Sequence, residues 1–180
     1  MLGSRAPKKL DAEGLWAYSL KLLGSRAQTV SEVRTKLSRR AENEADIEPT
    51  LAKLREYGYL NDTKFAESFA TWRKDNEGFG RMRVLRDLRQ RRVAPTVADN
   101  AVTQAFEGSD EVAQIEAYLA RKFRNTNLGE LLQDQKKLQS VYRRLRYAGY
   151  GSGAAVKVLK RYAADAERLE DEPEELAGAD

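Results

Sequence analysis

The sequence predicts an all-α fold: an elongated tandem array of three three-helix repeats with disordered termini. Two observations predict it. Apolar residues recur at spacings of three, four and seven along nearly the whole chain, and the period-two alternation of a half-buried strand is missing. The pattern also repeats: Val33, Leu37, Ile47 and Leu51 superpose on Val84, Leu88, Val97 and Ala101, then on Val141, Leu145, Ala155 and Leu159, the leucines lying 51 and 57 residues apart. Three short helices bury little surface alone, so neighbouring units must stack. The repeats are expected at 12–60, 61–107 and 108–166, between a flexible N-terminal arm (1–11) and an acidic tail (167–180).

The first helix carries Trp16, Leu20, Leu23 and Ala27 on one face. Thr29 opens the second, with Glu32 placed to reach back in a capping box and Val30, Val33 and Leu37 inward. Asp46 is the expected N-cap of the third, with Pro49 in its first turn, Ile47, Leu51 and Leu54 buried, and Gly58 as its stop. Asp62 opens the fourth, which points Phe65, Phe69 and Trp72 inward until Gly78-Phe79-Gly80 breaks the chain. A fifth helix, about 81–92, is built around Val84, Leu85 and Leu88. A sixth starts near Pro95 and buries Val97, Ala101 and Ala105. Ser109 caps a seventh with Val112, Ile115 and Leu119. After Asn125-Thr126-Asn127, an eighth carries Leu131, Leu138, Tyr142 and Leu145 to Gly149-Tyr150-Gly151, and a ninth holds Ala155, Leu159 and Tyr162.

Composition excludes whole classes of chemistry. The chain of 180 residues contains neither Cys nor His, which removes disulfides, thiolate nucleophiles, imidazole bases and the metal sites built on those ligands. Gly149 to Ala154 fits the loose pattern Gly-x-Gly-x-x-Ala, but an amphipathic helix stands where a dinucleotide site needs a strand. No Walker loop is present, and the tail carboxylates lie in a run of low hydrophobicity. The chain is expected to be no enzyme and to hold no cofactor or metal. It has no stretch approaching the ~18 apolar residues of a membrane span and no signal-peptide core, so a cytoplasmic protein is expected.

Charge is unevenly spread. Lys and Arg number 32 against 28 Asp and Glu, a net charge of +4. Residues 163–180 hold eight carboxylates against Arg168, a local −7, which leaves +11 on residues 1–162. A basic body suits an anionic partner. On the fifth helix, Arg83, Arg86 and Gln90 are placed opposite Val84, Leu85 and Leu88, with Arg89 and Arg91 flanking. On the eighth, Lys136, Lys137, Arg143 and Arg144 oppose Leu138, Val141 and Leu145. Both faces are candidate partner or nucleic-acid surfaces, the bland alternative being a solvated charged face. Trp16, Phe65, Phe69 and Trp72 read as core, with base stacking as the alternative.

Particular residues carry a family resemblance. Gly58-Tyr59-Leu60-Asn61-Asp62 followed by Phe65-Ala66 resembles the Gly-Tyr-Leu-Asp-Asp…Tyr-Ala signature of the RecX family. Upstream, Leu22, Leu23, Arg26, Thr29, Glu32, Val33 and Leu37 follow the same family's spacing, and Gly149-Tyr150 resembles the pair before its last helix. The resemblance covers roughly residues 15–165. It implies a negative modulator of RecA recombinase, made of units resembling helix-turn-helix modules. Such proteins bind the RecA–single-stranded-DNA filament and restrain its growth, ATP hydrolysis, strand exchange and coprotease activity in DNA repair and the SOS response. Some members contact DNA directly. A cytoplasmic monomer is expected. The sequence departs from the family at Asn61, at Arg92 where a Gly is common, and in the acidic insertion Glu42–Asp46. The alternative is a helix-turn-helix regulator that reads duplex DNA without RecA, although Glu48-Pro49 and Pro95-Thr96 offer few base-reading side chains. An RNA- or ribosome-associated adaptor shares the charge pattern but no module signature.

Overall fold

The computed structural model describes residues 8–169. Among these described residues ten α-helices follow one another: α1 (Ala12–Ser25), α2 (Val30–Ser38), α3 (Ile47–Glu56), α4 (Asp62–Trp72), α5 (Arg81–Gln90), α6 (Pro95–Ala105), α7 (Glu111–Lys122), α8 (Leu128–Leu131), α9 (Gln135–Tyr147) and α10 (Ser152–Leu159). Among the described residues there is no strand, only a single parallel bridge between Leu10 and Ala41. The all-α class holds. None of the described helices is long and apolar enough to cross a membrane.

The chain divides into two compact units. The first takes the residues up to Ser68 together with Leu88–Ala101, and the second takes Phe69–Asp87 with Val102 onward. The boundaries therefore cut α4, α5 and α6, so the second trio of helices contributes to both units.

In the first unit, α1, α2 and α3 pack on one another around Leu15, Val33, Leu37, Ile47, Leu51, Leu54 and Leu60. The capping box at Thr29 is present: its hydroxyl accepts the Glu32 amide (3.1 Å), while the Glu32 carboxylate accepts the Thr29 amide (3.2 Å). The buried stripe of α1 is one residue off the expected one. Leu15 and Ser19 are fully buried, Trp16, Leu20 and Leu23 flank them, and Ala27 lies exposed beyond the helix end. Ser19 tolerates burial because its hydroxyl donates to the Leu15 carbonyl at 2.6 Å. Asp46 caps nothing with its side chain. It ends a 3₁₀ turn (Glu44–Asp46) that Asn43 caps instead, which is how the acidic insertion is accommodated. The expected arm is tied down from Lys8 to Asp11: Leu10 exchanges backbone hydrogen bonds with Arg40 and Glu42 (both 2.8 Å), and Asp11 caps α1. Residues 1–7 lie outside the described ones.

The second unit packs α10 against α7 and α9 over Ile115, Leu119, Leu138, Val141, Leu145, Tyr150, Ala155 and Leu159. Asp110, not Ser109, caps α7. The expected eighth helix is two. Asn127 caps the single turn α8, Leu132 is buried where the chain bends, and Asp134 caps α9 through the amides of Lys136 and Lys137. The acidic tail begins later than residue 167, because a 3₁₀ turn (Ala164–Leu169) buries Ala166 and Leu169 in this core. Residues 170–180 lie outside the described ones.

Two faces of the middle helices are rotated by one residue. On α4, Ala66 and Ala70 are fully buried, Phe65 and Phe69 are half-buried, and Trp72 is 52% exposed. On α6, Ala98, Ala101 and Val102 are buried, with Val97 and Ala105 at the rim. Small side chains permit close helix approach, so they take the centre of the contact and the larger groups flank it.

Candidate partner-binding surface

Helix α9 forms because Leu138, Val141, Tyr142 and Leu145 fit one buried stripe and Asp134 starts it cleanly. That stripe leaves Lys136, Lys137, Arg143 and Arg144 exposed, as expected. Lys136 and Arg143, like Lys137 and Arg144, are two turns apart, about 10 Å along the axis. Arg144 lies over the Phe123 ring at 5.6 Å. Its charge opposes the burial that raises the Tyr118 phenol above its usual pKa. Within the second unit, the C-terminal end of this face carries Tyr147, 61% exposed and clasped by two arginines of α5. Arg83 sits 4.4 Å from the ring centre and Arg86 5.5 Å, and Arg86 also donates to the Tyr147 carbonyl (3.3 Å). Hydrogen bonding and charge from Arg83 hold the Tyr147 phenol below its usual pKa.

The α5 arginines are otherwise not the open face that the helical wheel suggests. The Arg83 side chain is only 18% exposed, stacked between Phe79 and Tyr147 and paired with Asp87 at 3.0 Å without an aligned hydrogen bond. Asp87 is 7% exposed and also accepts from Arg73 (2.5 Å), which follows α4 in a π turn (Arg73–Glu77). Arg83 thus neutralises a buried carboxylate. Arg86 is half-buried. Arg89 and Arg91 belong to the first unit, where Arg89 pairs with Asp99 on the surface (3.3 Å) and Arg91 donates to Glu32 (2.6 Å).

Tyr147 was missed from the sequence, although its position off the Leu138/Val141/Leu145 stripe marks it as exposed. A second missed feature lies in the first unit. Tyr57 and Tyr59 are exposed beside Trp16, and the Lys53 ammonium stands 4.4 Å from the Trp16 ring centre. Trp16 is thus a partly open ring.

Comparison with known proteins decides the family. The model of the RecX first three-helix domain matches residues 16–54, and that of the second three-helix domain matches residues 61–102. The regulatory protein RecX of Amycolatopsis mediterranei is 31% identical over 156 residues, covering 83% of this chain and 86% of that protein. This chain belongs to the RecX family. The regulatory protein RecX of Streptomyces coelicolor is 30% identical over 171 residues, 92% of this chain and 88% of that protein. The crystal structure of RecX from Lactobacillus salivarius shares the fold, with a TM-score of 0.66 and 19% identity over 85% of this chain and 97% of that one.

The RecX signature residues of this chain mostly hold the fold together. Asp62 accepts the Val30 amide (2.9 Å) at the start of α2, and Asn61 caps α4 through the Lys64 amide (2.9 Å), a role an aspartate fills equally. The Thr29 hydroxyl donates to the Arg91 carbonyl (3.0 Å), so Thr29, Glu32 and Arg91 form one network. Arg91 is thereby a structural residue. Gly149 and Tyr150 join α9 to the segment before α5, the Tyr150 hydroxyl donating to the Gly78 carbonyl at 2.6 Å. Arg26 is exposed just past α1 and Tyr59 is exposed, while Leu60 is core.

Proposed function

We propose that this regulatory protein binds the RecA–single-stranded-DNA filament in the cytoplasm, as a monomer of three three-helix repeats, and lowers filament activity. The observation that carries this reading is the exposed cationic face of α9, Lys136, Lys137, Arg143 and Arg144, on a chain of the RecX family. These side chains have the charge and reach to meet an acidic protein surface or exposed phosphates, and Tyr147 adds a large amphipathic ring at the end of the row. Arg86 borders that ring, and Arg89 offers a further exposed cation in the first unit. Arg83 supports Tyr147 from within the same unit, while Arg91 is held by Glu32 in the first unit. Binding along the filament obstructs subunit addition and the conformational cycle that ATP hydrolysis drives. Growth, strand exchange and coprotease activity then fall together.

Titrating the chain into RecA filaments on single-stranded DNA tests this, following ATP hydrolysis while imaging filament length. Both should fall at chain concentrations that leave bare duplex DNA unbound. Tight binding to duplex with no effect on RecA would favour a DNA-reading regulator instead.

A further inference from the structure

Helices α3, α5 and α9 end in the same closure. After α3, the Gly58 amide donates to the Arg55 carbonyl (3.0 Å) and the Tyr59 amide to Leu54 (2.9 Å). After α9, Gly149 donates to Arg146 (3.0 Å) and Tyr150 to Leu145 (3.2 Å). After α5, Arg92 donates to Arg89 (2.9 Å) and Val93 to Leu88 (3.2 Å). This closure places its first residue in left-handed backbone, which glycine adopts freely and other residues adopt at a cost. The φ angles are +74° at Gly58, +95° at Gly149 and +57° at Arg92. Arg92 is the one non-glycine residue with positive φ among the described residues. A side chain kept in a costly slot calls for a use.

Arg92 lines a cleft of about 560 Å³ in the first unit, together with Arg34, Arg55, Ser31, Asn61 and Asp62. Arg55 and Arg92 are exposed and hold no ion pair among the described residues. Arg34 is shared with Glu48 (2.5 Å) on the open surface, where such pairs are weak and exchangeable. The single carboxylate, Asp62, already accepts the Val30 amide. Two unpaired guanidinium groups and a third shared with Glu48, from three separate segments, thus outweigh one engaged acid, and the space exceeds that of a single phosphate ion. Guanidinium forks match phosphate oxygens two at a time.

We propose that this cleft holds the phosphodiester backbone of a nucleic-acid strand. The proposal goes beyond the filament reading by giving the chain a strand-binding site of its own, and its test contains no RecA.

Fluorescence anisotropy of a labelled oligothymidylate with the full chain measures it. R92G and R55Q should each weaken binding at low salt by about 3- to 10-fold and lower the slope of log affinity against log salt by about 0.7. R92G should melt no lower than the parent, since glycine suits the backbone slot. The assignment is overturned if the parent does not bind, if both variants bind like the parent with an unchanged salt slope, or if R92G loses binding only in step with its stability. Displacement by inorganic phosphate at equal phosphate concentration would make the site a small-anion site. Equal displacement by polyglutamate would make it a docking site for acidic protein. Either result also overturns the strand assignment.

Discussion

The backbones of Gly80 and Gly149 lie so close that a β-carbon on Gly80 would come within 2.5 Å of the Gly149 carbonyl oxygen. A β-carbon on Gly149 would in turn lie 2.8 Å from the Gly80 oxygen and 2.5 Å from Arg83 Cβ. The contact carries hydrogen bonds: the Gly80 amide donates to Ala148 (2.8 Å) and the Met82 amide to Gly149 (3.2 Å). Carbonyls left free at the end of α9 thus satisfy amides left free at the start of α5.

Replacing Gly149 by Ala should therefore cost about 3 kcal/mol or more, combining a backbone clash with left-handed strain. Gly58, at φ +74° with nothing within 4 Å of its virtual β-carbon, isolates the strain alone. G58A should cost about 1 kcal/mol. Urea midpoints at constant m-value make the comparison. Equal losses in the two variants would refute the packing role of Gly149.

Asp87 is the buried anion on which Arg73 and Arg83 converge. D87A leaves Arg83 without a carboxylate partner and Arg73 with Glu77 alone, and should cost about 3 kcal/mol or more. R83E brings a second negative charge beside Asp87 and should destabilise comparably, so loss of function in that variant reports unfolding. R89E, at an exposed surface pair, should change stability by less than about 0.5 kcal/mol. Thermal melting separates these outcomes; an R83E variant as stable as the parent would contradict the burial of this ion pair.

Tyr150 is buried against Tyr118, its ring centre 5.8 Å away, and burial holds its phenol well above the usual 10.0. The folded state favours the neutral phenol. Its contribution to stability is fully present below pH 10 and is lost as pH rises further, because the unfolded chain ionises there first. Y150F removes the hydrogen bond to Gly78 and should cost about 1–2 kcal/mol at pH 7. It also removes this source of alkaline sensitivity, so the stability gap between parent and variant should narrow above pH 10. A gap constant across that range would show that Tyr150 does not couple folding to pH.

Much of this molecule was legible in the sequence, and most of the failures at the candidate site share one cause. Local signals read correctly: the Thr29–Glu32 capping box, the stop at Gly58, the Leu138/Val141/Leu145 stripe and the outward Lys136 and Arg143. Apart from the helix caps at Asn43, Asp110 and Asp134, what failed depended on partners distant in sequence. A helical wheel places Arg83 outward because it sees only Val84, Leu85 and Leu88, yet Phe79 and Tyr147 enclose it. Asp87 reads as a solvated acid until Arg73 reaches it from another element. Ala66 and Ala70 take the centre of the α4 face because close approach selects small residues, which hydrophobicity alone ranks below Phe65 and Phe69. Asp134 was hidden inside a run whose apolar spacing continues across the bend at Leu132.

Whether the α9 face acts on the filament is read from RecA ATP hydrolysis on single-stranded DNA with increasing chain, the parent beside K136E/R143E. Both side chains are exposed on α9 and away from its buried stripe, so the variant should melt with the parent. Each lost charge-assisted contact is worth about 1.5–3 kcal/mol, and reversal adds repulsion. The parent should suppress hydrolysis, and the variant should need more than about tenfold higher concentration to do so at physiological salt. Equal suppression by both chains, or none by the parent, would contradict a role for this face.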